Sequence, residues 1–283
     1  MSRPCPIQVV ADDYALSPGV SAAILSLARE GRLTGTGAMT PSPFWREHGR
    51  ALADLPPPFQ AGLHVTLTGA LAPLGAMPRL APDGRFPALG WWLRHSLSGG
   101  LNAACRTEIA AEIDRQLDAF EAVMGRPPAY IDGHQHVHLL PGIRPAVLGA
   151  LTRRYPAGTV WLRDCAEPAG AILARGVAPA KAAFIAALAG GLAAAAHARG
   201  IPTNAGFTGI YGFDGDFPAL MRRFLSRVRP GLLIMVHPAQ ADHVLAGLDP
   251  VVGARQAEMA YLAGPHWPAD LAASGAVLGA TLA

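Results

Sequence analysis

The sequence predicts a (β/α) barrel of seven or eight parallel strands. Three observations carry that prediction. Short apolar runs alternate with segments of helical period along most of the 283 residues. Hydrophobic residues make up 51% and charged residues 15%, enough apolar surface to bury a substantial core. Acidic and histidine residues recur where the apolar runs end, as at the active face of a parallel barrel.

The strands are expected at residues 7–11, 36–40, 61–67, 129–132, 159–163, 203–207 and 232–237, with a weaker one at 276–278. So many units favour a barrel over an open sheet. The run Leu233-Ile234-Met235-Val236 is continuous, as a strand buried on both faces requires. Ser17 can cap a first helix, Pro18 suits its first turn and Gly31 its exit, with Val20, Ile24, Leu27 and Ala28 as one stripe. A second helix is expected over 107–124, its face formed by Ile109, Ile113, Leu117, Phe120 and Met124 and its end by Gly125, Pro127 and Pro128.

Residues 69–105 are rich in Pro and Gly and weak in helical period, and read as a long functional loop or lid. Residues 182–196 are apolar but mostly Ala, contain Gly190-Gly191, and fall short of the ~20 residues a membrane span needs. A buried or half-buried helix is expected there, and no membrane span. One domain over 1–283 is the simplest parsing. A net charge of +3 without any basic cluster argues against nucleic acid. Cys5, Cys105 and Cys165 lack CxxC spacing, and residues 1–11 show no secretory signal, so a reduced, cytoplasmic setting is expected. The sparse charge suggests a homodimer.

The chemistry concentrates in a few residues. Asp12 and Asp13 follow the first strand, and neighbours in an extended strand point to opposite faces. Either they divide labour, one ligating and one acting as base, or they open a polar turn before Ser17. His64 sits in an apolar strand, as a hydrogen-bonded core residue or a ligand. In Asp132-Gly133-His134-Gln135-His136-Val137-His138 three imidazoles alternate. Gly133 invites a bend, so one His is expected to ligate while His136 and His138 support it or touch substrate. Asp132 can orient a ligating His through its second ring nitrogen. His237 ends its apolar strand, as a cap or a general acid. Arg163 either tunes a carboxylate, holds substrate, or pairs with Asp164 on the surface.

Taken in order, Ala11-Asp12-Asp13-Tyr14-Ala15-Leu16-Ser17-Pro18-Gly19, Gly62-Leu63-His64, the His134 cluster and Val236-His237-Pro238-Ala239 resemble the YdjC-type carbohydrate deacetylases, the ChbG/HpnK family. The resemblance runs from Val9 to about Ala239. It implies a distorted barrel and metal-dependent removal of N-acetyl groups from an amino sugar or acetylated oligosaccharide. It further implies Asp13, His64 and His134 as metal ligands, Asp12 as base and His237 as acid. Tyr14 and Ala15 stand where the family more often has Phe and Gly. Gly133 and Gln135 stand where the chitooligosaccharide enzyme has Ser and His, which weakens transfer of its substrate preference.

One carboxylate with two imidazoles favours zinc, with magnesium, manganese or cobalt as alternatives. Trp91, Trp92, Phe207, Tyr211 and Phe213 either stack on sugar or pack in the core or lid. The competing readings are an amidohydrolase or esterase acting on another acylated small molecule, and a non-catalytic sugar-binding barrel.

Overall fold

A parallel sheet that curls on itself organises the chain. In the computed structural model residues 4–279 are described, so the outer ends of the expected 1–283 domain lie outside it. The strands are β1 (Cys5–Tyr14), β2 (Gly35–Ala38), β3 (Gln60–Val65), β4 (Tyr130–Gly133), β5 (Trp161–Leu162), β6 (Gly206–Thr208), β7 (Leu232–Val236) and β8 (Ala276–Leu278). Seven lie in the order β5-β4-β3-β2-β1-β7-β6, all parallel, and β8 pairs with the first residues of β1. A single bridge from Leu162 to Thr203 joins β5 to the segment leading into β6. The result is a curled half-barrel of seven parallel strands, in keeping with the distorted (β/α) barrel that the resemblance implies.

Twelve helices surround it among the described residues: α1 (Pro18–Arg29), α2 (Trp45–Ala53), α3 (Leu89–Leu97), α4 (Ala103–Met124), α5 (Arg144–Arg154), α6 (Ala169–Arg175), α7 (Pro179–Ala189), α8 (Leu192–His197), α9 (Phe217–Phe224), α10 (His243–Leu248), α11 (Val252–Ala263) and α12 (His266–Ala273). Ser17 caps α1 by accepting from the Val20 N–H at 3.2 Å, with Pro18 in the first turn. The helix expected over 107–124 starts earlier, because Asn102 caps it by accepting from the Cys105 N–H at 3.0 Å. Its apolar stripe is buried, and within it Gln116 bonds both the N–H and the carbonyl of Thr66 just past β3. That ties α4 to the strand carrying His64.

Residues 69–105 are less irregular than their composition suggests. They contain α3, and Trp92 is fully buried, donating its indole N–H to the Leu67 carbonyl at 2.7 Å. The 179–197 run is, among the described residues, long and apolar enough to cross a membrane by length and composition alone. Gly190-Gly191 divides it into α7 and α8, and α7 buries only Ala182, Ile185 and Ala189. It is thus a half-buried pair of short helices.

The parallel register sets the site. His64 and Asp132 are paired neighbours on β3 and β4, while Ala11 pairs with Thr36 on one side and Val236 on the other. Asp12 and His237, each one residue on, therefore emerge at the same height. Gly37 on β2 leaves room for this pair, because a Cβ there would crowd it, lying 3.0 Å from His64 Nδ1 and 3.2 Å from Asp132 Oδ1.

Candidate active site

A cavity of about 380 Å³ opens at the C-terminal ends of the strands, in the range of small-molecule sites. Asp12, Asp13, His64, His134, His136 and His237 all line it. Asp132, His138 and Arg163 do not, and are buried behind it.

The expectation that Asp12 and Asp13 face opposite ways does not hold. The ladder with β2 slips between Ala11 and Tyr14, and Asp13 has φ +68°, so both carboxylates reach the cavity. A positive φ is sterically unfavourable for a non-glycine residue, and such strain is often stored where it places functional groups.

Asp13 Oδ1 lies 2.8 Å from His134 Nδ1 and 3.3 Å from His64 Nε2. These three donor atoms can hold a metal ion, all lying within 4.8 Å of one another. A second grouping, Asp12, His64 and Asp132, is equally compact. It suits a cation poorly, because both Asp12 oxygens are taken by Arg163 at 2.6 and 2.8 Å and the same guanidinium lies 2.6 Å from Asp132 Oδ2. The first set also opens on the cavity.

Behind it the support is ionic. Asp132 Oδ1 is 2.6 Å from His64 Nδ1, so the imidazole turns Nε2 toward Asp13. Carboxylate–histidine pairs of this kind fix the ring and raise its basicity. Arg163 is fully buried and bridges Asp12 to Asp132. The surface pairing with Asp164 is not what forms: the Asp164 carboxylate accepts instead from the Ala166 N–H at 3.2 Å.

Burial raises the Asp13 carboxyl, but Arg255 and His134 outweigh it and hold the group well below the ordinary range. For Asp12 burial wins over Arg163 and His64, and the net shift is upward. Burial opposes a charge on His64, yet Asp132 and Asp12 lift it to about 10, so a cation binding there displaces a proton.

The alternating histidines do not share an extended face. His134–Leu139 forms a short 3-10 turn in which Gln135 and His136 have φ +51° and +60°. That turn sends His134 to Asp13, leaves His136 Nδ1 3.7 Å from Cys165 Sγ, and puts His138 Nε2 3.1 Å from the Arg163 carbonyl. Of the five aromatics considered for sugar stacking, Tyr211 and Phe213 line the cavity, while Trp91, Trp92 and Phe207 do not.

Sequence reasoning missed two residues, both on α11. Arg255 donates to Asp13 Oδ2 at 2.5 Å and is anchored by Asp249 at the same distance. Glu258, fully buried, accepts from the His237 backbone N–H and from the Tyr211 hydroxyl. The available signal was that Arg255 and Glu258 occupy the same helical face as Tyr261 and Leu262, the face α11 buries. Two charges in an apolar stripe require partners.

A curled parallel barrel with a carboxylate–imidazole cluster at its strand ends defines the class. The chain belongs to the YdjC-like protein family, which it matches over residues 6–273. It is 39% identical over 140 residues to a chitooligosaccharide deacetylase of Serratia marcescens, covering 49% of this chain and 53% of that one. A Yersinia pestis (strain Pestoides F) protein of the same name is 39% identical over 139 residues, with the same shares covered. The chain thus matches these relatives over about half their length. Among solved structures, an Enterococcus faecalis V583 protein, named for an inferred role in cellobiose-phosphate cleavage, superposes with a TM-score of 0.72 over 99% of this chain and 98% of its own, at 20% identity. That likeness shows the fold.

Proposed function

We propose that this chain hydrolyses the N-acetyl amide of an acetylated amino sugar, with a divalent metal, zinc first, held by Asp13, His64 and His134. The observation that carries the reading is the convergence of that donor set with Asp12 and His237 on one cavity. The names of the 39% identical relatives support the substrate class.

The ion, when bound, polarises the acetyl carbonyl and acidifies water. The rest falls to the chain. Asp12, held by both its oxygens on Arg163, takes the proton of the attacking water. His237 Nε2, 4.0 Å from Asp12 Oδ2, stands across the reacting centre and gives the amine nitrogen the proton it needs to leave. Asp132 and Arg163 hold His64 and Asp12 in place, and His136 faces the substrate. Leu89 and Leu93 of α3 reach the cavity, which supports reading residues 69–105 as a lid within one domain spanning 1–283. The free thiols Cys5, Cys105 and Cys165 support a cytoplasmic setting.

A second reading has an observation of its own. Phe184, Ile185 and Leu188 of α7 form an apolar cavity wall, which favours another acylated small molecule with an apolar portion. Acetate release separates the two. Chelator-stripped protein, alone or restored with zinc, magnesium, manganese or cobalt, is given N-acetylated mono- and oligosaccharides beside apolar acyl amides and esters. Metal-dependent acetate release from the sugars supports the first reading. Turnover of the apolar compounds alone moves the assignment to the second, and no turnover in folded, metal-loaded protein contradicts both.

A further inference from the structure

His237 has an incomplete environment. Its Nε2 faces Asp12, while Nδ1 is buried without a hydrogen-bond partner. The ring packs edge-on against Phe213, with centroids 5.2 Å apart, leaving little freedom to turn toward solvent. Glu258 Oε1 lies 3.9 Å from Nδ1. Glu258 is itself fixed, because one oxygen accepts from the His237 backbone N–H and the other from the Tyr211 hydroxyl. The carboxylate thus grips the strand end that carries the imidazole and lies against its rear nitrogen.

We propose that Glu258 is the positioning residue for the acid of the reaction: it fixes the His237 imidazole over Asp12 and supplies the negative charge against which His237 carries a proton to the leaving amine. This rests on the reading of His237 as that acid. As the C–N bond breaks, the proton moves from His237 Nε2 to the amine nitrogen. The imidazole is left neutral with its Nδ1–H toward Glu258, and regains a proton from Asp12 or water before the next turnover.

The charges around the ring explain why a carboxylate is needed. Burial and Arg255 press His237 down to about 3, which by itself leaves the imidazole neutral and a poor acid near pH 7. Burial lifts Glu258 up to about 7, against the bonds from Tyr211 and the His237 N–H. Charging the ring therefore requires an anion against it, and Glu258 is the carboxylate that faces Nδ1. A carboxylate behind a catalytic imidazole acts in the same way in hydrolytic triads, where it orients the ring and steadies its cationic form.

The test exploits the leaving group. An amine must be protonated to depart, whereas 4-nitrophenolate needs no acid. Zinc-restored wild type, E258Q, H237A and the double variant are assayed on an N-acetylated oligosaccharide and on 4-nitrophenyl acetate. E258Q is expected to lower kcat on the amide by about 10²-fold with KM nearly unchanged, the scale of a lost acid. On the ester it should stay within about threefold of wild type. In the H237A background E258Q should add almost nothing, since Glu258 acts through that ring.

Equal losses on amide and ester, or additive losses in the double variant, overturn the proposal in favour of a purely structural role. Undiminished amide turnover by E258Q overturns it alone, while a wild type that cleaves the ester but no amide overturns the reading beneath it as well. Should E258Q not fold, E258D keeps the charge one methylene further back. It is then expected to retain the ester rate and lose part of the amide rate, and unchanged amide turnover there also overturns the proposal.

Discussion

Replacing Arg163 by Met keeps the length of the side chain and removes its charge from between Asp12 and Asp132. In the structure one guanidinium supplies two bonds to Asp12 and a 2.6 Å ion pair to Asp132, with all three side chains shielded from water. Removing one partner from such a buried group costs about 3–5 kcal/mol, because the remaining charges stay desolvated. For 283 residues the unfolding entropy is about 0.6 kcal/mol per kelvin, so the melting temperature should fall by roughly 5–8 °C. Urea unfolding at pH 7 measures the loss directly, on chelator-treated protein so that metal binding does not add to stability. Adding D12N to R163M removes one stranded charge and should restore part of the loss. A loss below about 1 kcal/mol, or no recovery with D12N, would refute the view that Arg163 is the counter-charge of this pair.

Three further expectations follow from the same geometry. D132N disturbs the partner that orients His64 and should weaken zinc binding about 10- to 100-fold by calorimetry, an unchanged affinity counting against that role. R255M frees Asp13 Oδ2 and should weaken zinc binding by about tenfold or more, whereas binding equal to wild type would make Arg255 a purely structural residue. Glu258 should make stability depend on pH: its folded value is raised to about 7 from 4.5, so the native state holds the extra proton between them and stability falls as pH rises through that window. The loss is about 3 kcal/mol and complete above pH 7, and unfolding curves of E258Q at pH 4.5 and 8 should lack this component.

Much of the barrel was legible because a parallel strand buried on both faces writes itself as an apolar run. The run at 232–237 and the observed β7 differ by one residue, and Ala276–Leu278 coincides with β8. The residues at strand ends were legible for the same reason, since Asp12, His64 and His237 break runs that are otherwise apolar. Local backbone geometry was not legible. Nothing in Asp12-Asp13 announces the slip in the ladder that turns both carboxylates to one side, and the alternation of His134, His136 and His138 suggests a strand where a tight turn forms.

Long-range partners were also hidden. Arg163 reaches Asp12 from 151 positions away and Arg255 reaches Asp13 from 242 positions away, distances over which periodicity carries no information. The contribution of α11 came to light only when its charged residues proved to point inward.

Diffraction from zinc-soaked crystals, recorded on both sides of the zinc absorption edge, locates the ion without reference to activity. A single anomalous peak about 2.0–2.2 Å from an oxygen of Asp13 and a ring nitrogen of each of His64 and His134 is the predicted result. A peak seated among Asp12, His64 and Asp132, or no peak in the cavity at saturating zinc, would contradict it.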